Sequence, residues 1–251
     1  MDNIVLGRTN YKSLKDQKVE LAVLPWGATE AHNYHLPYAT DNIMTEKVAE
    51  EAAGYARKKG ADVIVLPVIP FGVNTGQLDI RININLNPST QFSILCDIAD
   101  VLSRHGIPKF MILNGHGGND FKQMIRELGA KFPGLFICSC NWYQAVDSSL
   151  FENPGDHADE METSMMLHIA PELVKLEQAG EGKAKKFRVK ALNERWAWTE
   201  RKWSQVSDDT GIGNPFKSTA EKGEKCIKGL TAKIGEFMVE LCRTGIDDMY
   251  V

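Results

Sequence analysis

The stretch "KFMILNGHGGNDFKQMIRELGAKFPGLFICSCNWY" (109–143) decides the fold. An apolar run, Phe110 to Leu113, breaks at a glycine-rich turn. A helical stretch follows from Asn119 to Lys131, and a second apolar run, "GLFICSCNWY", closes the unit. Two strands joined through a helix run parallel, because a hairpin has no room for the crossover. The same alternation extends outward. "KVELAVLPWG" (18–27) reads as a strand, and from Asp41 to Lys59 the apolar residues Met44, Val48, Ala52 and Ala56 keep helical spacing. "ADVIVLPVIPFG" (61–72) reads as a buried strand and "QLDIRININL" (77–86) as a half-exposed one. "NPSTQFSILCDIADVLSRHG" (87–106) has Asn87 placed to cap a helix, Pro88 at its first position and Gly106 past its end. "ETSMMLHIAPELV" (162–174) starts as a helix and breaks at Pro171, and a last amphipathic helix runs from about Thr219 to Arg243.

Strand and helix in this order predict a three-layer α/β fold, a mostly parallel sheet with helices on both faces, built as a single domain over 1–251. Ligands on such sheets gather at the carboxyl ends of the strands. Composition fits a globular chain: 43% hydrophobic, 25% charged, net charge −4. Interspersed charge argues against a nucleic-acid or membrane-surface partner. The N-terminal "MDNIVLGRTNYKSLKDQ" lacks the apolar core of a signal peptide. Five cysteines, an odd number without zinc-ribbon spacing, are expected to be reduced thiols of a cytoplasmic protein, with Cys138 and Cys140 on one strand face.

Four of the six histidines lie in three short segments, each after an expected strand. The first, "GATEAHNYHLPYATD" (27–41), puts Glu30 and His32 two residues apart, so in extended chain they point the same way. Asp41 opens the next helix, where capping alone would explain a carboxylate. The second is Asn114-Gly115-His116-Gly117-Gly118-Asn119; it reads as a tight turn, or as an anion cradle at a helix N-terminus. The third, 156–164, holds Asp156, His157, Asp159, Glu160 and Glu162. Imidazoles and carboxylates without thiolates suit zinc, manganese or iron, and a carboxylate can bridge two such ions. Trp142, at a strand end, is a candidate pocket wall. His35, His105 and His168 read as structural residues. "RWAWTERKW" (195–203) reads as an amphipathic interface helix, or alternatively a substrate lid. No G-x-S-x-G elbow supports a serine hydrolase.

Together these segments resemble the creatininase (creatinine amidohydrolase) family. The resemblance rests on Glu30-x-His32, His35-Leu36-Pro37, Thr40-Asp41, Asn114-Gly115-His116-Gly117, His157-Ala158, Glu162-Thr163-Ser164, "TGIGNP" (210–215) and "AEKG" (220–223). It implies a homo-oligomer, a hexamer in the family, with a binuclear site: Glu30 and His116 on one ion, His32 on the other, Asp41 bridging. It also implies hydrolysis of a non-peptide C–N bond in a small amide, often cyclic, with His157 passing a proton to the leaving nitrogen. Asp156 is placed to orient that imidazole. Where creatinine-hydrolysing members carry a Tyr-Glu pair after Asn-Gly-His, this chain has Gly117 and Gly118. The second ion thus lacks a ligand, which Glu162 or Glu160 is expected to supply, and the substrate side is expected to be more open there. Other substrates expected within the family are formamidopyrimidines and peptide precursors. From a different class, the rivals are a metal-free anion-binding module and a structural-metal protein.

Overall fold

In the computed structural model, which describes residues 4–251, β1 (Leu21–Trp26), β2 (Val63–Val65), β3 (Lys109–Asn114) and β4 (Phe136–Asn141) form one parallel sheet in the order β2-β1-β3-β4. Leu21 aligns with Val63 and Lys109, and Lys109 with Phe136. The main helices are α1 (Thr40–Lys58), α2 (Pro88–Arg104), α3 (Lys122–Lys131), α4 (Glu160–Ile169) and α5 (Ala220–Arg243).

The two-residue period of the strands sorts the core into two layers. Leu21, Val23, Val63, Val65, Met111 and Leu113 face the side covered by α1, α4 and α5. Ala22, Leu24, Trp26, Ile64, Phe110 and Ile112 face α2 and α3. Truncating one such buried Leu or Met costs about 2–5 kcal/mol, so the strand ends are firmly seated. Helix starts follow their chemistry. Thr219 accepts the Lys222 N–H at 3.1 Å, and Asp159 accepts those of Met161 and Glu162 at 3.0 Å. Within "AEKG", a side chain at Gly223 would collide with the Ser164 carbonyl, so the glycine lets α5 cross α4 closely.

The structure departs from the sequence expectations in four places. Residues 77–86 are turns with isolated bridges, Thr29 to Ile84 and Gly72 to Asn85, instead of a strand. Their alternating asparagines bind backbone elsewhere: Asn83 accepts from the Ala31 N–H and Asn85 from that of Asn74. The expected strand over 61–72 pairs regularly only at Val63–Val65, since Pro67 and Pro70 cannot donate to a ladder. Helix α3 starts at Lys122, three residues late. "RWAWTERKW" forms no amphipathic helix. Trp196 and Trp198 are exposed, and only Trp203–Val206 makes a single helical turn. Trp196 and Trp198, two residues apart, would lie on opposite sides of a helix and define no common face.

All five cysteines are free, and burial pushes Cys138 and Cys140 up to about 12 and about 11. Among the described residues no helix is long and apolar enough to cross a membrane. Residues 1–3 of the N-terminal stretch lie outside the described residues.

Candidate metal centre

The carboxyl ends of β1 and β3 and the start of α4 meet at one point. Glu30 and His32 follow β1, Asp41 sits in the first turn of α1, His116 follows β3, and His157 and Glu162 flank the N-cap of α4. Glu30, His32, Asp41, His116 and His157 are all buried. Three triads within this cluster have ligand atoms close enough to share a cation: Glu30, His32 and His157; Glu30, Asp41 and His116; and His32, Asp41 and Glu162. Asp41 belongs to the last two, and its oxygens diverge. Oδ1 lies 3.1 Å from His32 Nε2, and Oδ2 lies 3.0 Å from His116 Nδ1. Glu30 Oε1 is also 3.0 Å from His116 Nδ1, and Glu162 Oε2 is 4.0 Å from His32 Nε2.

The second ring nitrogen of each histidine fixes its tautomer. His116 Nε2 meets the Val73 carbonyl at 3.0 Å, His32 Nδ1 the Glu30 carbonyl at 3.1 Å, and His157 Nε2 the Ala31 carbonyl at 2.9 Å. A carbonyl only accepts, so each of these nitrogens donates. The other nitrogen of each ring then faces the carboxylates. An imidazole tied by its N–H to a carbonyl and aimed by its lone pair at acids is the usual arrangement of a metal-ligating histidine.

Among the described residues no lysine or arginine pairs with Glu30, Asp41 or Glu162. Buried carboxylates need a counter-charge. Without a cation the imidazoles provide it. Burial pushes His32 down, but Asp41, Glu162 and Glu30 outweigh it and raise it to about 10. His116 is raised in the same way, against burial, by Glu30 and Asp41. Burial pushes Glu162 up to about 8 despite His32. Burial, then the charge on His32, lower His157 and keep it neutral. A cluster of N and O donors short of positive charge fits one or two divalent cations.

The support comes both from a distant turn and from next to the ligand itself. Gln77 donates to Glu30 Oε2. Asn114 brackets the 115–118 turn, accepting from the His116 N–H at 3.1 Å and donating to the His116 carbonyl at 2.9 Å. The turn needs glycine for space and not for positive φ: a side chain at Gly118 would collide with His116 Nε2 and the Val73 carbonyl. Gly117 faces open space. His116 of this turn lies against two carboxylates, which disfavours an anion cradle there.

Several residues sit elsewhere than the sequence suggested. Glu160 is buried away from the cluster, accepting from Glu152 and Asn153 N–H groups and pairing with Lys222. Asp156 does not reach His157; its exposed carboxylate pairs with Arg201, and the Ala31 carbonyl anchors the imidazole instead. Trp142 is fully buried and donates to Thr45 Oγ1 at 3.0 Å. His35 fixes its loop through the Thr163 hydroxyl at 2.8 Å, while His105 and His168 are exposed. Sequence reading missed Gln77 and the three anchoring carbonyls, for which no local signal exists. It also left Trp203, whose ring meets His157 edge-on at 4.8 Å, inside the interface segment.

The sequence pattern of the family described as Creatininase, creatinine amidohydrolase, matches residues 7–238. A solved structure from Bacteroides fragilis NCTC 9343, described as a candidate creatinine amidohydrolase, is 41% identical, with 98% of this chain and 99% of that one covered and a TM-score of 0.93. A 3-dehydro-scyllo-inosose hydrolase of Thermotoga maritima is 25% identical over 68% of this chain and 57% of its own length, so the match spans just over half of that protein. A mycofactocin precursor peptide peptidase of Mycobacterium tuberculosis is 24% identical over 83% of this chain and 80% of its own. A peptidase among the relatives conflicts in part with the expected non-peptide C–N bond and agrees with the peptide precursors also expected within the family. With its sheet order, its strand-end cluster and a pattern match running through both, the chain belongs to the creatininase family of hydrolases.

Proposed function

We propose that this protein is a metal-dependent amidohydrolase acting on a small amide. Glu30, Asp41 and His116 would hold one divalent cation, and His32, Asp41 and Glu162 a second, with zinc, manganese and iron all suited to the donors. The observation that carries the reading is the shared Asp41, with one oxygen on each imidazole. Divalent cations held this way polarise a carbonyl and bring the pKa of water toward neutrality.

The chain's own groups do the rest. Gln77 fixes the Glu30 carboxylate. His157 donates from Nε2 to the Ala31 carbonyl, so Nδ1, 3.7 Å from Glu30 Oε1, is the atom free to take a proton and return it to a leaving nitrogen. The neutral form of that imidazole, favoured by burial, is the one a base requires. A cyclic amide, an exocyclic formamide and a peptide end all satisfy this chemistry, and the open space at Gly117 is the natural place for the rest of the substrate. A homo-oligomeric, cytoplasmic enzyme completes the reading, with free thiols compatible with that compartment.

The test is metal content together with hydrolysis of creatinine, small formamides and short peptides, with and without chelator. Wild type should carry two ions per chain and lose all turnover on chelation. Asp41→Asn should lose both ions together. Metal-independent turnover, or Asp41→Asn with two ions still bound, would refute the proposal.

A further inference from the structure

His157 packs against two rings. The His32 ring centroid lies 4.2 Å from its own, and the Trp203 ring meets it in a T-shaped contact with centroids 4.8 Å apart. Trp203 comes from a half-exposed strap, residues 200–204, that touches the centre at His157. The Arg201 guanidinium lies over the Trp203 ring at 4.9 Å and pairs with Asp156, the residue directly before His157. The strap is tied to the 75–79 turn, which also carries Gln77. Ser204 donates to Asp79 at 2.6 Å, Thr75 donates to Glu200, and the Arg201 carbonyl sits where a side chain on Gly76 would be.

These ties are exposed, and exposed ion pairs are weak and easily exchanged. The groups underneath are sealed: His32 is 0% exposed, Glu30 1% and His157 6%. A substrate must displace something to reach them. Of what packs on His157, the strap is the part held by weak surface contacts.

We propose that Trp203 is a positioning residue for His157, and that Asp156 acts on the same imidazole at one remove, by latching Arg201 and with it the strap against the centre. The inference rests on the proton-transfer role given to His157 above. Opening the strap admits substrate. Closing it returns the indole to the imidazole and restores the Nε2–H to Ala31 contact that leaves Nδ1 free.

The test uses zinc-loaded full-length protein labelled with 15N-histidine, with His157→Gln to assign the ring. Wild type should show one His157 signal set, protonated at Nε2, its ring protons displaced by the indole. Trp203→Ala should lose that displacement and average the two tautomers, Trp203→Phe should keep the ordered ring, and Asp156→Asn and Arg201→Met should fall between. In parallel, carbethoxylation of His157, read by peptide mass spectrometry against exposed His105 and His168, should speed up about tenfold in Trp203→Ala. With any amide the wild type hydrolyses, Trp203→Ala should lower kcat about 10–100-fold with little change in KM. Unchanged His157 signals and carbethoxylation in folded Trp203→Ala overturn the proposal. Should that variant not fold, unchanged signals in Arg201→Met overturn it, because that change leaves the indole present but unlatched. A protein that hydrolyses no amide refutes the functional reading alone, since the two spectroscopic and chemical measurements need no turnover.

Discussion

Glu162→Gln removes a charge and almost no volume, which makes it a clean probe of the second cation position. Glu162 Oε2 stands 4.0 Å from His32 Nε2 and accepts the Ala158 N–H at 2.6 Å. A glutamine keeps an oxygen for Ala158 but leaves His32 and Asp41 as the only remaining donors of that triad. Loss of a supporting partner alone weakens metal binding 10–100-fold. Loss of a charged ligand should therefore cost at least ~100-fold, or about 2.7 kcal/mol. The triad proposed for the first cation, Glu30, Asp41 and His116, does not include Glu162. Equilibrium dialysis at buffered free zinc, read by elemental mass spectrometry, should give one ion per variant chain where the wild type holds two. Glu160→Gln serves as the control and should keep both, because Glu160 faces Lys222. The metal-free protein offers a second readout. Burial raises Glu162 to about 8, so the folded state favours its protonated form. A raised carboxyl pKa weakens the fold as pH climbs from the usual carboxylate range toward 8. Glutamine cannot ionise, so metal-free Glu162→Gln should melt above metal-free wild type at pH 8 and level with it near pH 4. Two ions bound at unchanged affinity by the variant would refute the reasoning.

Three further outcomes follow from the same geometry. His157→Gln should cut hydrolysis roughly 10²–10⁴-fold while metal content stays at the wild-type level; parallel loss of metal would mean His157 is a ligand. Zinc binding at pH 7 should release protons, because His32, raised to about 10, and His116, raised with it, must lose theirs before their lone pairs can bind. Affinity should accordingly rise from pH 6 to pH 8, and calorimetry in buffers of different ionisation heats will reveal an absence of release if the rings are already neutral. Gly118→Glu should not supply the family's ligand on this backbone. Its Cβ meets Val73 and His116 Nε2, so overpacking of about 1–3 kcal/mol should lower Tm by roughly 2–12 °C, and a variant with unchanged Tm and tighter metal binding would contradict the packing.

The sequence by itself determined the layers. Leu21, Val23 and Met111 against Ala22, Leu24 and Phe110 is a two-residue alternation that needs no partner to be read, and the helix starts at Pro88 and Ala220 are written in Pro88 and Thr219, although the Asn87 side chain makes no capping hydrogen bond. It also showed that histidines and acids accumulate where strands end. It did not separate Glu160 from Glu162. Two residues apart on a helix they point in opposite directions, and only the packing of α4 against α1 and α5 turns Glu162 toward His32 and Glu160 toward Lys222. Asp156 reads in sequence as a neighbour of His157, yet in space its partner is Arg201, 45 residues on. Gln77 reaches Glu30 across 47 residues, and His157 reaches the Ala31 carbonyl across 126. Local pattern sets which side of a strand or helix a residue occupies. Which distant group then comes within hydrogen-bonding reach depends on how the layers stack, and that is a property of the whole folded chain.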